Sequence, residues 1–118
     1  MSNRTLRVNV LLQRELSDIL RKFYQSEAVS LTVTEVRVAP DLRDARVFVS
    51  IVGDEDHVEG RLRWLRKQSA AIRRELSRRI VLKFLPKLEY VLDLSAERGT
   101  RIVQMLDDLE EPPTEEKS

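Results

Sequence analysis

The sequence predicts a two-layer α+β domain in which two helices cover one face of a three-stranded sheet. Three observations lead to this prediction. Segments in which apolar residues recur at helical spacing are interspersed with segments in which they recur at every second position, the period typical of strands. A chain of 118 residues has room for one domain. The sequence also contains no internal repeat that would indicate a second core. The predicted order is helix, strand, strand, long or broken helix, strand and a short C-terminal helix.

The first predicted helix runs from Thr5 to Phe23, and neither glycine nor proline interrupts it. Charged residues separate its apolar ones, which indicates a helix with one buried face. We expect the four residues before it, Met1 to Arg4, to form a loose basic arm. The apolar positions of the helix are Val8, Leu12, Leu16, Ile19, Leu20 and Phe23.

Two strands are predicted next. The first starts at Ala28, and its apolar phase slips by one residue between Val33 and Val36. An alternating strand cannot bury both sets on one face, so we expect a bulge or a marked twist near Thr34 and Glu35. Residues 39–44 contain turn-forming Pro40 and Asp41 and connect to a second strand over 45–51, which pairs back as a hairpin.

The second half of the chain begins with three carboxylates at positions 54–56, which favour a helix N-terminus. An apolar stripe then runs from Val58 to Ile80 as one long helix, or as two helices if the small residues 69–71 mark a kink. A third strand is predicted over Lys83 to Leu94, and Ser95 could cap a last short helix. We therefore expect a single domain over residues 1–109, followed by an acidic disordered tail over residues 110–118.

Composition argues against most kinds of enzyme. The chain has no cysteine and one histidine, His57, which excludes thiolate chemistry and nearly all zinc sites. His57 could be a general base or a metal ligand, but no nucleophile motif, glycine-rich loop or paired histidine accompanies it, so we interpret it as a solvent-exposed residue beside a helix cap. We expect no catalytic residue, no metal, no cofactor and no small-molecule substrate. No apolar run approaches the length of a membrane span, and we expect a cytoplasmic protein.

The charge distribution points to a polyanionic partner. The net charge is only +1, yet residues 61–87 carry ten basic residues against the single acid Glu75, a balance of +9. Solvated helix faces usually interleave acids and bases, so this concentration favours binding to nucleic acid. The predicted RNA-binding residues on the helices are Arg61, Arg63, Arg66, Lys67, Ser69, Ala70, Arg73, Arg74, Arg78 and Arg79, with Arg4 and Arg7 as a secondary patch.

The small residues at the possible kink would let a sugar–phosphate backbone approach closely, and a break there would release backbone N–H groups as anion donors. Trp64 either packs on the terminal helix or contacts the partner. Phe48, Phe84 and Tyr90 fall in strand patterns, so we expect recognition of RNA by its backbone rather than by stacking on its bases.

Three stretches of sequence resemble the ribosome-binding factor A family, over roughly residues 5 to 106. They are RVNVLLQRELSDIL followed by LTVTEVRVAPDLRDARVFVS, then IRREL, then LPKLEYVLDLS with ERGTRI after it. The resemblance implies a type II KH-like fold. It also implies a kink between two helices at Gln68-Ser69-Ala70, the positions at which members of the family carry an Ala-x-Gly motif.

The same resemblance implies a role in late maturation of the 30S ribosomal subunit. Such proteins bind 16S ribosomal RNA in the free subunit, support processing of its precursor and help cold adaptation, without catalysis. We expect a monomer that does not bind membranes. The alternative from the residues is an adaptor whose basic helix binds an acidic protein, with the acidic tail able to fold over the same face.

Overall fold

The computed structural model describes residues 3–94. They form four helices and three strands, and the predicted α+β class is confirmed. The predicted C-terminal helix and acidic tail lie outside the described residues. Within residues 3–94, no helix is both long and apolar enough to cross a membrane. The elements are α1 (Asn3–Phe23), α2 (Gln25–Ala28), β1 (Leu31–Val38), β2 (Asp44–Ile51), α3 (Glu55–Lys67), α4 (Ser69–Arg79) and β3 (Lys87–Leu92).

Helix α1 begins at Asn3, earlier than predicted. The expectation of a loose arm is therefore wrong for Arg4, which lies in the first helical turn because no helix-breaking residue precedes Thr5. Tyr24 then leaves helical geometry, with φ −136°, and α2 adds a single turn. The sequence did not predict α2, and the predicted start of the first strand at Ala28 is wrong for the same reason.

The sheet has β2 in the centre, antiparallel to β1 and parallel to β3. Val33 pairs with Val49 and Glu35 pairs with Phe48, so Thr34 is the extra residue on β1. The predicted bulge is confirmed. Because the bulge resets the alternation, Val33 and Val36 are both buried although three positions separate them.

One face of the sheet packs against the helices and supplies a single core, as a two-layer fold requires. Polar side chains of α1 also cover the outer edge of β1, where Asn9 Oδ1 accepts a hydrogen bond from Val38 N at 2.8 Å. Unpaired strand edges tend to aggregate, and this bond occupies one exposed N–H group. The core comprises Val8, Leu12, Leu16, Ile19, Leu20, Leu31, Val33, Val36, Val38, Ala45, Val47, Val49, Leu65, Ile72, Leu76, Ile80 and Tyr90.

The stripe from 58 to 80 forms two helices, as the kinked alternative predicted. Helix α3 ends at Lys67, Gln68 adopts φ −86° and ψ 0°, and α4 starts at Ser69. The acidic N-terminus of α3 is also confirmed: Asp54 Oδ1 accepts a hydrogen bond from the N–H of His57 at 2.8 Å.

Strand β3 is shorter than predicted, because residues 83–86 lie in the connection from α4 rather than in the sheet. Pro86 cannot donate a ladder hydrogen bond, and pairing with β2 begins at Lys87, whose N–H donates to Arg43 O at 2.8 Å. Phe84 is consequently not a strand residue, and its side chain is exposed.

Candidate nucleic-acid interface

The side of α3 and α4 that points away from the core is exposed and basic. Leu65, Ile72 and Leu76 face the core, so residues on the opposite side of each helix face solvent. Arg63 and Lys67 are one turn apart on α3, and Ala70, Arg74 and Arg78 follow at the same spacing on α4. We call the four cations of this stripe the basic surface: Arg63, Lys67, Arg74 and Arg78.

Most of the basic surface is not neutralised within the fold. Among residues 3–94, the side chains of Arg63, Lys67 and Arg74 make no hydrogen bond, ion pair or ring contact. Arg78 has one distant ion pair, 3.5 Å from Glu75, and its side chain is 74% exposed. A pair this exposed contributes little to stability. The predicted cations of this stripe therefore remain available to an anionic partner.

Arg66 ties α3 to β3, and Arg73 ties α4 to the end of the connection that precedes β3. Arg66 Nη2 donates to the carbonyl of Tyr90 at 2.9 Å. Arg73 donates from Nη1 to Pro86 O at 2.6 Å and from Nη2 to Leu85 O at 2.7 Å. Because the acceptors are uncharged carbonyls, both guanidinium groups keep their positive charge beside the basic surface while part of their donor capacity is used.

Arg79 has a different environment from the other predicted residues. Its guanidinium lies between three carboxylates, at 2.7 Å from Asp18, 3.1 Å from Glu75 and 3.2 Å from Glu15, and its side chain is only 19% exposed. The hydrogen bond to Asp18 is the main cause that raises the pKa of Arg79, and it lowers the pKa of Asp18. Arg79 joins α4 to α1, so we remove it from the candidate interface.

Arg61 packs along the other flank of α3. Its Nε is buried with no partner among the described residues, and its guanidinium carbon lies 5.5 Å from the ring centroid of Trp64. Trp64 in turn meets Tyr24 edge to face, with centroids 5.3 Å apart. Neither alternative proposed for Trp64 describes this contact, because Tyr24 reaches it from the junction of α1 and α2. The terminal helix lies outside the described residues.

The junction between α3 and α4 opens into a cavity of about 850 Å³. Arg66 and Ser69 line it together with three cations of the strands, Arg37, Arg46 and Lys87. Ala70, the next residue, is exposed and presents only a methyl group. Sequence reasoning missed the strand cations because strand alternation predicts that they are exposed but not that they lie near the helix junction.

The secondary patch lies apart from the basic surface. Arg4 and Arg7 are exposed on the first turns of α1. That end of α1 lies beside the end of β1, where Asn9 contacts Val38, whereas α4 meets α1 at Glu15 and Asp18. At 1.5 Å per residue, Arg7 is about 12 Å along the helix from Glu15.

His57 is half-buried and joins the start of α3 to β1. Its Nε2 lies 3.0 Å from Ser30 Oγ, and its backbone N–H is held by Asp54. The imidazole also lies against Gly53, whose φ of +149° and lack of a side chain allow the close approach. The position beside the helix cap agrees with the sequence interpretation, but the expected solvent exposure of His57 is wrong, because its imidazole lies against Gly53 and Ser30.

Tyr90 lies under the helices rather than in the interface. Its side chain is 3% exposed, and its hydroxyl is buried with no hydrogen-bond partner among residues 3–94. Burial raises the pKa of this phenol, which stays protonated at any physiological pH.

Comparison with known proteins gives concordant results. The family model described as ribosome-binding factor A matches residues 4–106. The chain is similar to ribosome-binding factor A of Opitutus terrae, with 64% identity over 118 residues that cover 98% of this chain and 97% of that protein.

Solved structures with similar folds carry the same family description. The crystal structure of ribosome-binding factor A from Thermus thermophilus has a TM-score of 0.66 and 27% identity, and the match covers 75% of this chain and 94% of that one. A homology model of the Thermus thermophilus protein, fitted into a cryo-EM map of its complex with the 30S subunit, has a TM-score of 0.62 and 28% identity. That match covers 74% of this chain and 92% of the other.

Proposed function

The chain belongs to the ribosome-binding factor A family, with its KH-like fold, and from this premise we propose that it assists assembly of the small ribosomal subunit without catalysis. It binds the free 30S subunit through 16S ribosomal RNA and acts late in maturation, including processing of the 16S precursor and growth in the cold. It does so in the cytoplasm as a monomer, with one domain over residues 1–109 and a tail over residues 110–118.

The observation that supports this proposal best is the set of cations without partners on the helices. Arg63, Lys67 and Arg74 are exposed and make no ion pair within residues 3–94. Like charges on one stripe repel each other, and phosphate groups relieve that repulsion. Contacts to phosphate and sugar position a protein on RNA without reading much sequence. This is the kind of recognition that suits a folded ribosomal RNA.

A binding protein can assist assembly without chemistry. If the protein has higher affinity for one arrangement of the 16S RNA, its binding raises the population of that arrangement by the difference in binding free energy. Once later assembly steps make that arrangement stable or cover the RNA, the protein loses its advantage and leaves. Arg66 ties α3 to β3 and Arg73 ties α4 to the connection before β3, so the cations are presented on a preorganised surface.

The experiment that tests this proposal is the salt dependence of binding to free 30S subunits and to protein-free 16S RNA. For about six neutralised phosphates, log affinity should fall against log salt with a slope of about −4 to −5. The test variant replaces Arg63, Lys67 and Arg74 with alanine. The matched control replaces Arg14, Lys22 and Arg43, three exposed cations outside the candidate interface, so that both variants lose the same charge.

We expect the test variant to bind more weakly, with a slope that is less steep by about 2 to 3 because three phosphate contacts are lost. The control should bind nearly as the parent does. Equal affinities and slopes for the two variants would contradict the proposal. Binding to intact subunits but not to protein-free 16S RNA would favour an adaptor that meets an acidic protein instead.

A further inference from the structure

The connection between α4 and β3, residues 80–86, presents an aromatic ring to solvent. The Phe84 side chain is 74% exposed, and Lys83 Nζ lies 5.8 Å from its ring centroid. Val81, in the same connection, is fully exposed. A single exposed apolar residue is common on protein surfaces. The exposure of Phe84 alone therefore does not indicate a function, and only the residues around it can do so.

The base of this connection is fixed. Ile80 and Pro86, its first and last residues, are both buried in the core. Arg73 adds two hydrogen bonds, to the carbonyls of Leu85 and Pro86, so the residue next to Phe84 is tied to the side of α4. Phe84 thus extends from an anchored base, and little conformational entropy is lost when a ligand contacts it.

The one charged residue of the connection, Lys83, is a cation, and so is Arg73, which anchors the connection to α4. The anchoring Arg73 is adjacent to Arg74 of the basic surface, and Lys83 and Lys87 flank the ring along the chain. Glu75, the one acidic residue of α4, is bound to Arg79 on the side of the helix that meets α1. A protein-binding aromatic usually lies in an apolar patch, whereas a ring among cations matches a strand of nucleic acid, with phosphates on the cations and a base on the ring.

We propose that Phe84 stacks on an unpaired base of RNA whose phosphates contact the basic surface. The proposal rests on the RNA-binding function proposed above and adds a chemical preference for single-stranded nucleotides next to α4. It revises the expectation that RNA is recognised by its backbone rather than by stacking, which followed in part from assigning Phe84 to a strand. Stacking on a base face tolerates any sequence, so the preference is for unpaired RNA and not for one base.

The test compares Phe84→Leu, which keeps an apolar side chain, with Phe84→Trp, which keeps a flat ring. The probe is a single-stranded RNA about ten nucleotides long, beside the same RNA closed into a duplex. Phe84→Leu should lower affinity for the single strand by about 5- to 150-fold, the range for one stacked base. Its affinity for the duplex and its salt slope should not change. Phe84→Trp should bind as the parent does, and RNA should quench its added fluorescence beyond that of Trp64.

Unchanged binding of Phe84→Leu to the single strand, while the triple variant of the basic surface loses affinity, would overturn the stacking proposal alone. Unchanged binding of both Phe84→Leu and the triple variant of the basic surface would overturn the proposed function as well. The stacking proposal would also be overturned if Phe84→Leu lost affinity only for intact 30S subunits and not for the single-stranded RNA. The ring would then contact a ribosomal protein. Because Phe84 is exposed, both substitutions should leave the unfolding midpoint unchanged.

Discussion

Two glycines near the start of α3 should respond in opposite ways to the same substitution. Gly53 has a φ of +149°, a conformation that residues with a side chain rarely adopt. A Cβ atom there would lie 2.5 Å from Cδ2 and 2.9 Å from Cγ of His57. Gly60 lies inside α3, and a Cβ atom there would meet nothing within 4 Å. Alanine should therefore destabilise the protein at position 53 and stabilise it at position 60.

The magnitudes follow from these surroundings. Backbone strain at position 53 costs about 1–3 kcal/mol. The imidazole must also move away, which breaks its hydrogen bond with Ser30 and adds about 0.5–1.5 kcal/mol. We therefore expect Gly53→Ala to lower the free energy of unfolding by about 1.5–4.5 kcal/mol. Gly60→Ala should raise it by about 0.5–1 kcal/mol, because alanine has the higher helix propensity.

The assay is urea unfolding followed by fluorescence of Trp64, the only tryptophan, which contacts Tyr24 in the folded protein. The double variant Gly53→Ala with His57→Ala separates the two costs when it is compared with His57→Ala alone. No imidazole remains to be displaced in that background, so the difference in stability reports the backbone strain at residue 53 only. If Gly53→Ala unfolds within about 0.5 kcal/mol of the parent, the backbone conformation at residue 53 is not as described.

Three further predictions concern charged and polar groups. Arg79→Ala should lower the free energy of unfolding by about 1–3 kcal/mol, because three carboxylates lose the partly buried cation that they share and keep only exposed pairs with Arg14, Arg21, Lys22 and Arg78, while RNA affinity stays near that of the parent; a large loss of affinity at full folding would refute this role. The hydrogen bond from Arg79 is the main cause that lowers the pKa of Asp18. The contribution of the Asp18 carboxylate to stability is therefore complete above the unfolded pKa of about 3.9 and is lost as the pH falls below that value. Unfolding of Asp18→Asn should depend less on acid pH, and an unchanged pH profile would contradict the pairing. Tyr90→Phe removes a buried hydroxyl without a partner, so urea unfolding should show equal stability or a gain of up to about 1–2 kcal/mol, and a clear loss would mean that the hydroxyl is bonded.

The sequence was sufficient for features that depend on local periodicity. The slip between Val33 and Val36 located the irregularity, because a strict period of two cannot bury both valines on one face, and the structure shows that it is a bulge rather than a twist. Three consecutive carboxylates located the start of α3. The break at Gln68 appeared in the sequence as one of two alternatives, since small residues interrupt the apolar stripe without forbidding a continuous helix.

Features that depend on distant contacts could not be predicted. The pattern placed Arg79 on the flank of the exposed face that carries Arg74, but its partners Glu15 and Asp18 come from α1, more than sixty residues away along the chain. The carbonyls that bind Arg66 and Arg73 become accessible only when β3 docks beside the helices. The sequence pattern assigned Phe84 to a strand that begins at Lys83. In the structure, the buried Pro86 delays the start of β3 to Lys87.

The most direct test of the central claim is hydroxyl-radical probing of 16S RNA in isolated 30S subunits, with the parent protein and with the variant that lacks Arg63, Lys67 and Arg74. The claim predicts that the parent protects a localised set of backbone positions and that the variant, still folded, fails to protect them. Protection of no 16S nucleotide by the parent, or the same protection by both proteins, would contradict it.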